Sequence, residues 1–413
     1  MIELKVFYWF LKAIFCGLFQ VGNKQWRIAG KELISKPTFR LPDSAHSDYF
    51  IGLRVFKRSL SNLSQTEKVP QSRISVLVYD GSVKSFNKRK SYLIWVKKYN
   101  KEQIFGLGRD NVYLYAKKNN CFVLLIVLSI IVIPFTIVSK NRVKWALVLF
   151  EFIETCGLIS FINKTRLEKV HFFSPAEKDS NLAYLLIHKF GVTVTKHPSP
   201  GALVAHNRNL MTDTLALSSL YQNEEYNLYL KDSIETNSIE NWPPENAQEY
   251  EQLYYSKEII SNTEFKYGFY SHGGWLRKDK GLTDGLYAKP EEEENCLKII
   301  SEFINNDTNE EILIYLHPKE KENLASARDY YSNFFNEGNY KLYTDSLSSA
   351  HTFNNVEIGI GAYSTVLFER QNLGFKTLIW KDVVKDFPKT GTTFYKNSFS
   401  SLIELENIIS NYK

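Results

Sequence analysis

The stretch from Asn355 to Trp380, NVEIGIGAYSTVLFERQNLGFKTLIW, leaves few folds open to the chain. Val356 to Ile360 is an apolar run of buried-strand length, and Gly361-Ala362-Tyr363 makes a tight connection. Ser364 and Thr365 stand where a helix N-cap belongs, Val366 to Leu373 has helical apolar spacing, and Gly374 fits just past a helix end. Thr377 to Trp380 reads as the next strand. Strand, helix and strand this closely spaced predict a βαβ unit and so a parallel sheet. The turn before the helix predicts chemistry as well. A helix N-terminus offers unpaired N–H groups and the positive end of a dipole, so the hydroxyls of Ser364 and Thr365 make a cradle for a phosphate. Glu369 lies on the same helix, within reach of the ribose of a nucleotide seated there. Ordinary capping explains the same residues without a ligand.

Two similar turns precede it. Lys266 to Ser271 reads as a strand followed by His272-Gly273-Gly274-Trp275-Leu276-Arg277. Paired glycines let the backbone approach a ligand closely, and Arg277 adds positive charge; a glycine turn with exposed bases has the same composition. A helix is expected over Pro290 to Asn305, then a buried strand, EILIYL, ending in His317-Pro318-Lys319. A histidine at a strand's carboxyl end, held by a proline and beside a lysine, suits donation to a phosphate or protonation of a leaving group. Right-handed crossovers open all three turns on one sheet edge, and their conjunction predicts a nucleotide mono- or diphosphate site. The absence of a Walker motif and of a full GxGxxG argues against a P-loop NTPase and a nicotinamide dehydrogenase. No DxD stands in a suitable place, so no metal ligands are visible.

The N-terminal half repeats the pattern less clearly. Ile74 to Tyr79 predicts a strand ending in Asp80-Gly81-Ser82, which places a carboxylate where open α/β sheets bind ligands, although Asp-Gly is also a common turn dipeptide. Gly106-Leu107-Gly108 reads as a weak phosphate signal with no strand before it. A helix over Trp145 to Asn163, the strand VHFFS, a helix from Pro175 to Phe190 and the strand VTVTK form a doubly wound series. Glu177 and Asp179 either face a cleft or complement a helix dipole. The polar stretch 231–262 reads as a linker containing the domain boundary. The expected division is residues 1–240, a linker at 241–264 and a second domain at 265–413.

Two apolar segments raise the question of a membrane. MIELKVFYWFLKAIFCGLFQVG lacks the pattern of a secretory signal and reads as an interfacial helix with aromatic anchors or as a core helix. Cys121 to Val138 carries no charge and just reaches spanning length. Basic residues at both ends, Pro134 and the Ile/Val content favour a re-entrant or in-plane element, with a true span and a core segment as alternatives. Lysine plus arginine is 51 against 45 acids, a net charge of +6. That excess suits an anionic substrate or membrane surface better than nucleic acid. The four cysteines have no CxxC spacing, which predicts a reducing compartment with neither zinc nor disulfides.

Taken together, YLHPKE around His317-Pro318 and GAYSTVLFE around Ser364-Thr365 resemble the His-Pro and Ser-Ser/Thr motifs of bacterial GT-B glycosyltransferases of the sialyltransferase, polysialyltransferase and capsule-transferase type. The resemblance covers roughly residues 265–385. It implies an α/β fold of two doubly wound Rossmann-type domains and an inverting transfer from a nucleotide-sugar donor, CMP-linked in that group. The acceptor would be a surface glycan, capsule or lipid-linked chain. It also implies that His317 and the hydroxyls bind the donor phosphate, that an N-terminal acid serves as base, and that neither metal nor cofactor is needed. The acidic motif of that group is matched in part by Tyr79-Asp80-Gly81-Ser82, which makes Asp80 the first candidate base, with Glu177 and Asp179 behind it. Gly273, Gly274, Arg277, Pro318, Lys319, Ser364, Thr365 and Glu369 are the expected donor-binding residues. The expected location is the cytoplasmic face of a bacterial inner membrane, peripheral or re-entrant. A CDP-polyol phosphotransferase and a non-catalytic, membrane-associated glycan assembly protein are the alternatives.

Overall fold

The computed structural model describes residues 2–35, 74–80, 86–108, 112–116, 118–138, 142–173, 181–198, 210–244, 247–250, 253, 263–279, 290–307, 310–345, 349–362, 364–381 and 397–412. They form two compact units. The first takes the described residues up to 198 with 210–217 and 232–242; the second takes 218–231 and the described residues from 243 onward.

Unit 1 is built on six parallel strands: β1 (Val76–Asp80), β2 (Ile104–Gly108), β3 (Lys169–Phe173), β4 (Thr193–His197), β5 (Met211–Leu217) and β6 (Glu235–Asn241). Their order is β2-β1-β3-β4-β5-β6. Successive side chains alternate between the sheet's faces. Leu77, Tyr79, Val170 and Phe172 join a large core under the helices α1 (Ile2–Phe19), α2 (Lys24–Ser35), α4 (Lys118–Val138), α5 (Arg142–Lys164) and α6 (Asn181–His188). Val76, Val78 and Phe173 pack on the other face against α3 (Phe86–Lys97). Both faces are covered, which is why VLVYD and VHFF read as runs and not as alternating patterns.

Two expectations are corrected here. Gly106 and Gly108 lie inside strand β2, and a methyl group at Gly106 would overlap the Phe86 ring, so this glycine permits packing and has no phosphate-loop geometry. The stretch read as a linker from 231 contains β6, a sheet edge whose sequence ETNSIEN is polar because most of its side chains are wet. The apolar run from Cys121 is helical and lies within α4. Among the described residues no helix is long and apolar enough to cross a membrane.

Unit 2 is a second six-stranded parallel sheet, made of β7 (Phe265–Tyr270), β8 (Ile312–Tyr315), β9 (Tyr340–Tyr343), β10 (Val356–Gly361), β11 (Thr377–Trp380) and β12 (Ser398–Phe399). The order β12-β11-β10-β7-β8-β9 is that of a dinucleotide-binding Rossmann sheet. Its helices include α7 (Gly274–Asp279), α8 (Pro290–Asp307), α9 (Leu324–Ser332), α10 (Thr365–Asn372) and α11 (Leu402–Asn411). Helix α8 begins with proline and three acids, as the macrodipole favours, and buries Cys296, Leu297, Ile300 and Ile304 on one stripe. The βαβ unit expected at 355–380 is present as β10, α10 and β11, capped at Ser364.

Candidate functional site

The strand order of unit 2 reverses between β7 and β10, and open α/β sheets take ligands at the carboxyl ends of such strands. Strand β7 runs into Ser271–Gly274, β10 into the turn before Ser364, and β8, on the other side of β7, into His317. The three turns therefore stand along one edge, with the His272 turn in the middle. The ends of β8 and β10 are two strand spacings apart, about 10 Å.

One buried acid organises the central turn. Glu293, in the first turn of α8, accepts from Ser271 Oγ at 3.0 Å and from the backbone N–H groups of His272 at 2.8 Å and Gly274 at 2.5 Å. Its Oε1 also stands 3.0 Å from His272 Nδ1. Burial alone would push the Glu293 carboxyl up; the His272 ring and the donated amides outweigh it and hold it below the usual carboxylate range. Gly273 N–H donates to Ser271 Oγ at 3.0 Å. All three amides of the glycine turn thus point inward, and what the turn offers a ligand is close backbone approach and the His272 ring. That ring is buried, 6% exposed, and neither of its nitrogens has a hydrogen-bond partner, so Nδ1 faces the Glu293 carboxylate as a charge contact.

The His317 turn leans on the first. Gly273 has φ +68°, open to glycine at little cost, and a Cβ there would sit 3.3 Å from the His317 ring. His317 Nδ1 accepts the Lys319 N–H at 3.3 Å, so the neutral ring carries its proton on Nε2 as a donor. Pro318 and Lys319 are exposed at the rim. Beneath them Glu320 accepts from the His317 N–H at 2.6 Å, Trp275 Nε1 at 2.5 Å and Tyr331 OH at 3.1 Å, tying the second turn to α7 and α9. Burial and then the Glu293 charge push Glu320 above its ordinary value.

At the third turn Ser364 is the N-cap of α10, its Oγ accepting from Val366 N–H at 3.4 Å; Thr365 is exposed and Glu369 is buried along the helix. Farther along α10, at the amino end of β10, the helix is held by Arg370, whose guanidinium is fully buried. It donates to the carbonyls of Phe353, Val356, Glu357 and Lys376 and to Tyr270 OH, over 2.7–3.4 Å, among the rings of Tyr270, Phe353 and Phe375.

Arg277 is in α7, but its side chain lies outside the described residues, as do Glu177 and Asp179 entirely. Asp80 closes β1, at the switch between β1 and β3 in the first sheet; its side chain too lies outside them. Sequence reasoning named the His272 turn without giving its ring a role, and passed over Glu293. The signal for the first was a histidine at the end of a buried strand, directly before the glycine pair.

Two doubly wound α/β units, the second with histidines and hydroxyls gathered at its switch point, place the chain in the class of paired Rossmann-type folds. No protein-family model and no curated protein matches the sequence. Among solved structures the chain is similar to a Methanocaldococcus jannaschii UDP-GlcNAc 2-epimerase in complex with UDP-GlcNAc and UDP, at 13% identity and TM-score 0.48, over 82% of this chain and 92% of that one. It is also similar to the Neisseria meningitidis UDP-GlcNAc 2-epimerase bound to UDP-GlcNAc, at 11% identity and TM-score 0.45, over 82% and 90%. The wall teichoic acid polymerase TagF is a third, at 12% identity and TM-score 0.36, over 89% and 88%.

Proposed function

We propose that the chain is an inverting, metal-independent glycosyltransferase that takes a sugar from a nucleotide-activated donor, CMP-linked and of the sialic acid kind. The acceptor is a surface glycan, capsule or lipid-linked chain, met at the cytoplasmic face of a bacterial inner membrane. The observation that carries the reading is the alignment of three turns on one edge at the switch point of unit 2, with the His272 ring buried, polarised by Glu293 and unpartnered at Nε2.

The donor's phosphate is the group that develops charge as the glycosidic bond breaks, and preorganised donors lower that barrier. His317 Nε2–H, Lys319 and the Ser364–Thr365 helix start supply donors and positive charge on its two sides. The buried His272 ring lies between them, and Gly273 and Gly274 allow close approach. Arg277 adds charge at the rim, Pro318 stiffens the His317 turn, and Glu369 serves the ribose side. Asp80 removes the proton from the acceptor hydroxyl, which then attacks the anomeric carbon.

Thermal shift with CMP, CDP and UDP, followed by donor hydrolysis in EDTA, tests the reading. CMP is expected to raise the melting temperature and EDTA to leave turnover unchanged; no response to any nucleotide would refute it. His317→Ala is expected to lower kcat about 10²- to 10⁴-fold with its melting temperature kept.

A further inference from the structure

Helix α1 buries Val6, Phe10, Ala13 and Ile14 against unit 1, with the rings of Phe7 and Phe10 edge-on to Phe152 of α5. Its opposite stripe, Leu4, Tyr8, Phe15 and Phe19, is spaced to lie on one helix face and is open to solvent. Helix α4 repeats the arrangement. Cys121, Leu125, Leu128 and Val132 are buried, while Phe122, Val123, Ile126, Val127 and Ile130 face outward. These nine outward side chains are each 40–67% exposed. The helices are neighbours: both pack on α5, and Asn120 of α4 donates to Glu3 of α1 at 3.3 Å. Isolated exposed apolar residues are ordinary on a protein surface; two adjoining helices that are apolar on both sides are not.

Charge indicates what covers this face. Lys5 and Lys12 are exposed at the edge of the α1 stripe. Beyond them Trp9 is half-buried, with Lys189 Nζ 5.5 Å from its ring, and Lys12 Nζ lies 4.7 Å from the ring of Trp26, which is buried in the core of unit 1. Glu3, the one acid of α1, is buried against Asn120 and Ser160, and α4 has no acid at all. An apolar strip that carries the exposed rings of Tyr8, Phe15 and Phe19 and is bordered by Lys5 and Lys12 matches the layering of a bilayer surface, acyl chains first and anionic headgroups beside them. A second copy would bring lysines with no acid to meet them.

We infer that α1 and α4 form one in-plane surface by which unit 1 sits on an anionic bilayer, without crossing it. The inference stands apart from the transfer reaction, since vesicle binding is read without nucleotide and nucleotide binding without vesicles. The test is co-sedimentation of the full chain with vesicles of equal parts phosphatidylglycerol and phosphatidylcholine, and with phosphatidylcholine alone. The wild type is expected to pellet with the anionic vesicles and much less with the neutral ones. Phe19→Asp/Ile130→Asp is expected to weaken this about tenfold or more, and Lys5→Gln/Lys12→Gln to erase the preference for anionic lipid. Should the first variant fail to fold, Phe19→Cys carrying a polarity-sensitive dye replaces it, its emission shifting blue on addition of anionic vesicles. A wild type left in the supernatant, unaltered binding by a folded Phe19→Asp/Ile130→Asp chain, an unshifted dye, or a dimer that the same variant abolishes without any vesicle binding would each overturn the inference.

Discussion

Glu293 gathers a hydroxyl, two backbone amides and an imidazole around one buried carboxylate, so removing it strands several polar groups at once. Glu293→Ala is expected to cost about 3–5 kcal/mol in urea denaturation, and the CMP response should vanish with the turn. A second buried cluster makes unit 1 sensitive to acid. His171 Nδ1 lies 2.9 Å from His197 Nε2, with Tyr99 OH 3.4 Å from the other His171 nitrogen. Burial, then the Lys169 and Lys97 charges, pushes His171 down to about 3, and burial followed by its partner pushes His197 well below its ordinary value. An unfolded chain protonates both near pH 6.5, so below that it binds protons the fold refuses. Their contribution is complete above about pH 6.5 and lost as the pH falls toward 3. Urea midpoints measured at about pH 7 and about pH 5 should drop on acidification, and His171→Gln/His197→Gln should flatten the slope. Neither cluster was legible beforehand. Glu293 stands in a run of four glutamates that the helix dipole treats alike, and only the packing of α8 tells which one turns inward.

At the scale of elements, Ser364 and Ser401 make a matched pair. Each caps a helix in unit 2, with Oγ accepting an N–H at 3.4 Å and 3.3 Å, but only Ser364 lies beside the switch point. Alanine at either position should cost about 1 kcal/mol; only Ser364→Ala should also weaken the CMP thermal shift, and equal loss in both variants would remove the serine from the site. The βαβ unit carrying Ser364 was readable because every local cue agreed: apolar strand, hydroxyl cap, glycine stop, apolar strand. Strand β6 was hidden for the opposite reason. An edge strand needs few apolar residues, so its sequence looks like a loop. Arg370 was equally silent, since a guanidinium whose two terminal nitrogens bind carbonyls has no acidic partner to betray it.

For the whole molecule, the two units have separate hydrophobic cores, one around α1, α5 and the first sheet, the other around α8 and the second. Urea denaturation of the full chain followed by tryptophan fluorescence is therefore expected in two steps, and CMP should move one of them. A single step unmoved by nucleotide would speak against both the separation and the site. The alternation of strand and helix patterns was readable in both halves, whereas Asp80 depended on a dipeptide that any turn can use. The seating of α1 has a practical corollary. Val6, Phe10 and Ala13 are wholly enclosed, so anyone trimming this greasy N-terminus to improve expression would be pulling a keystone and should recover inclusion bodies.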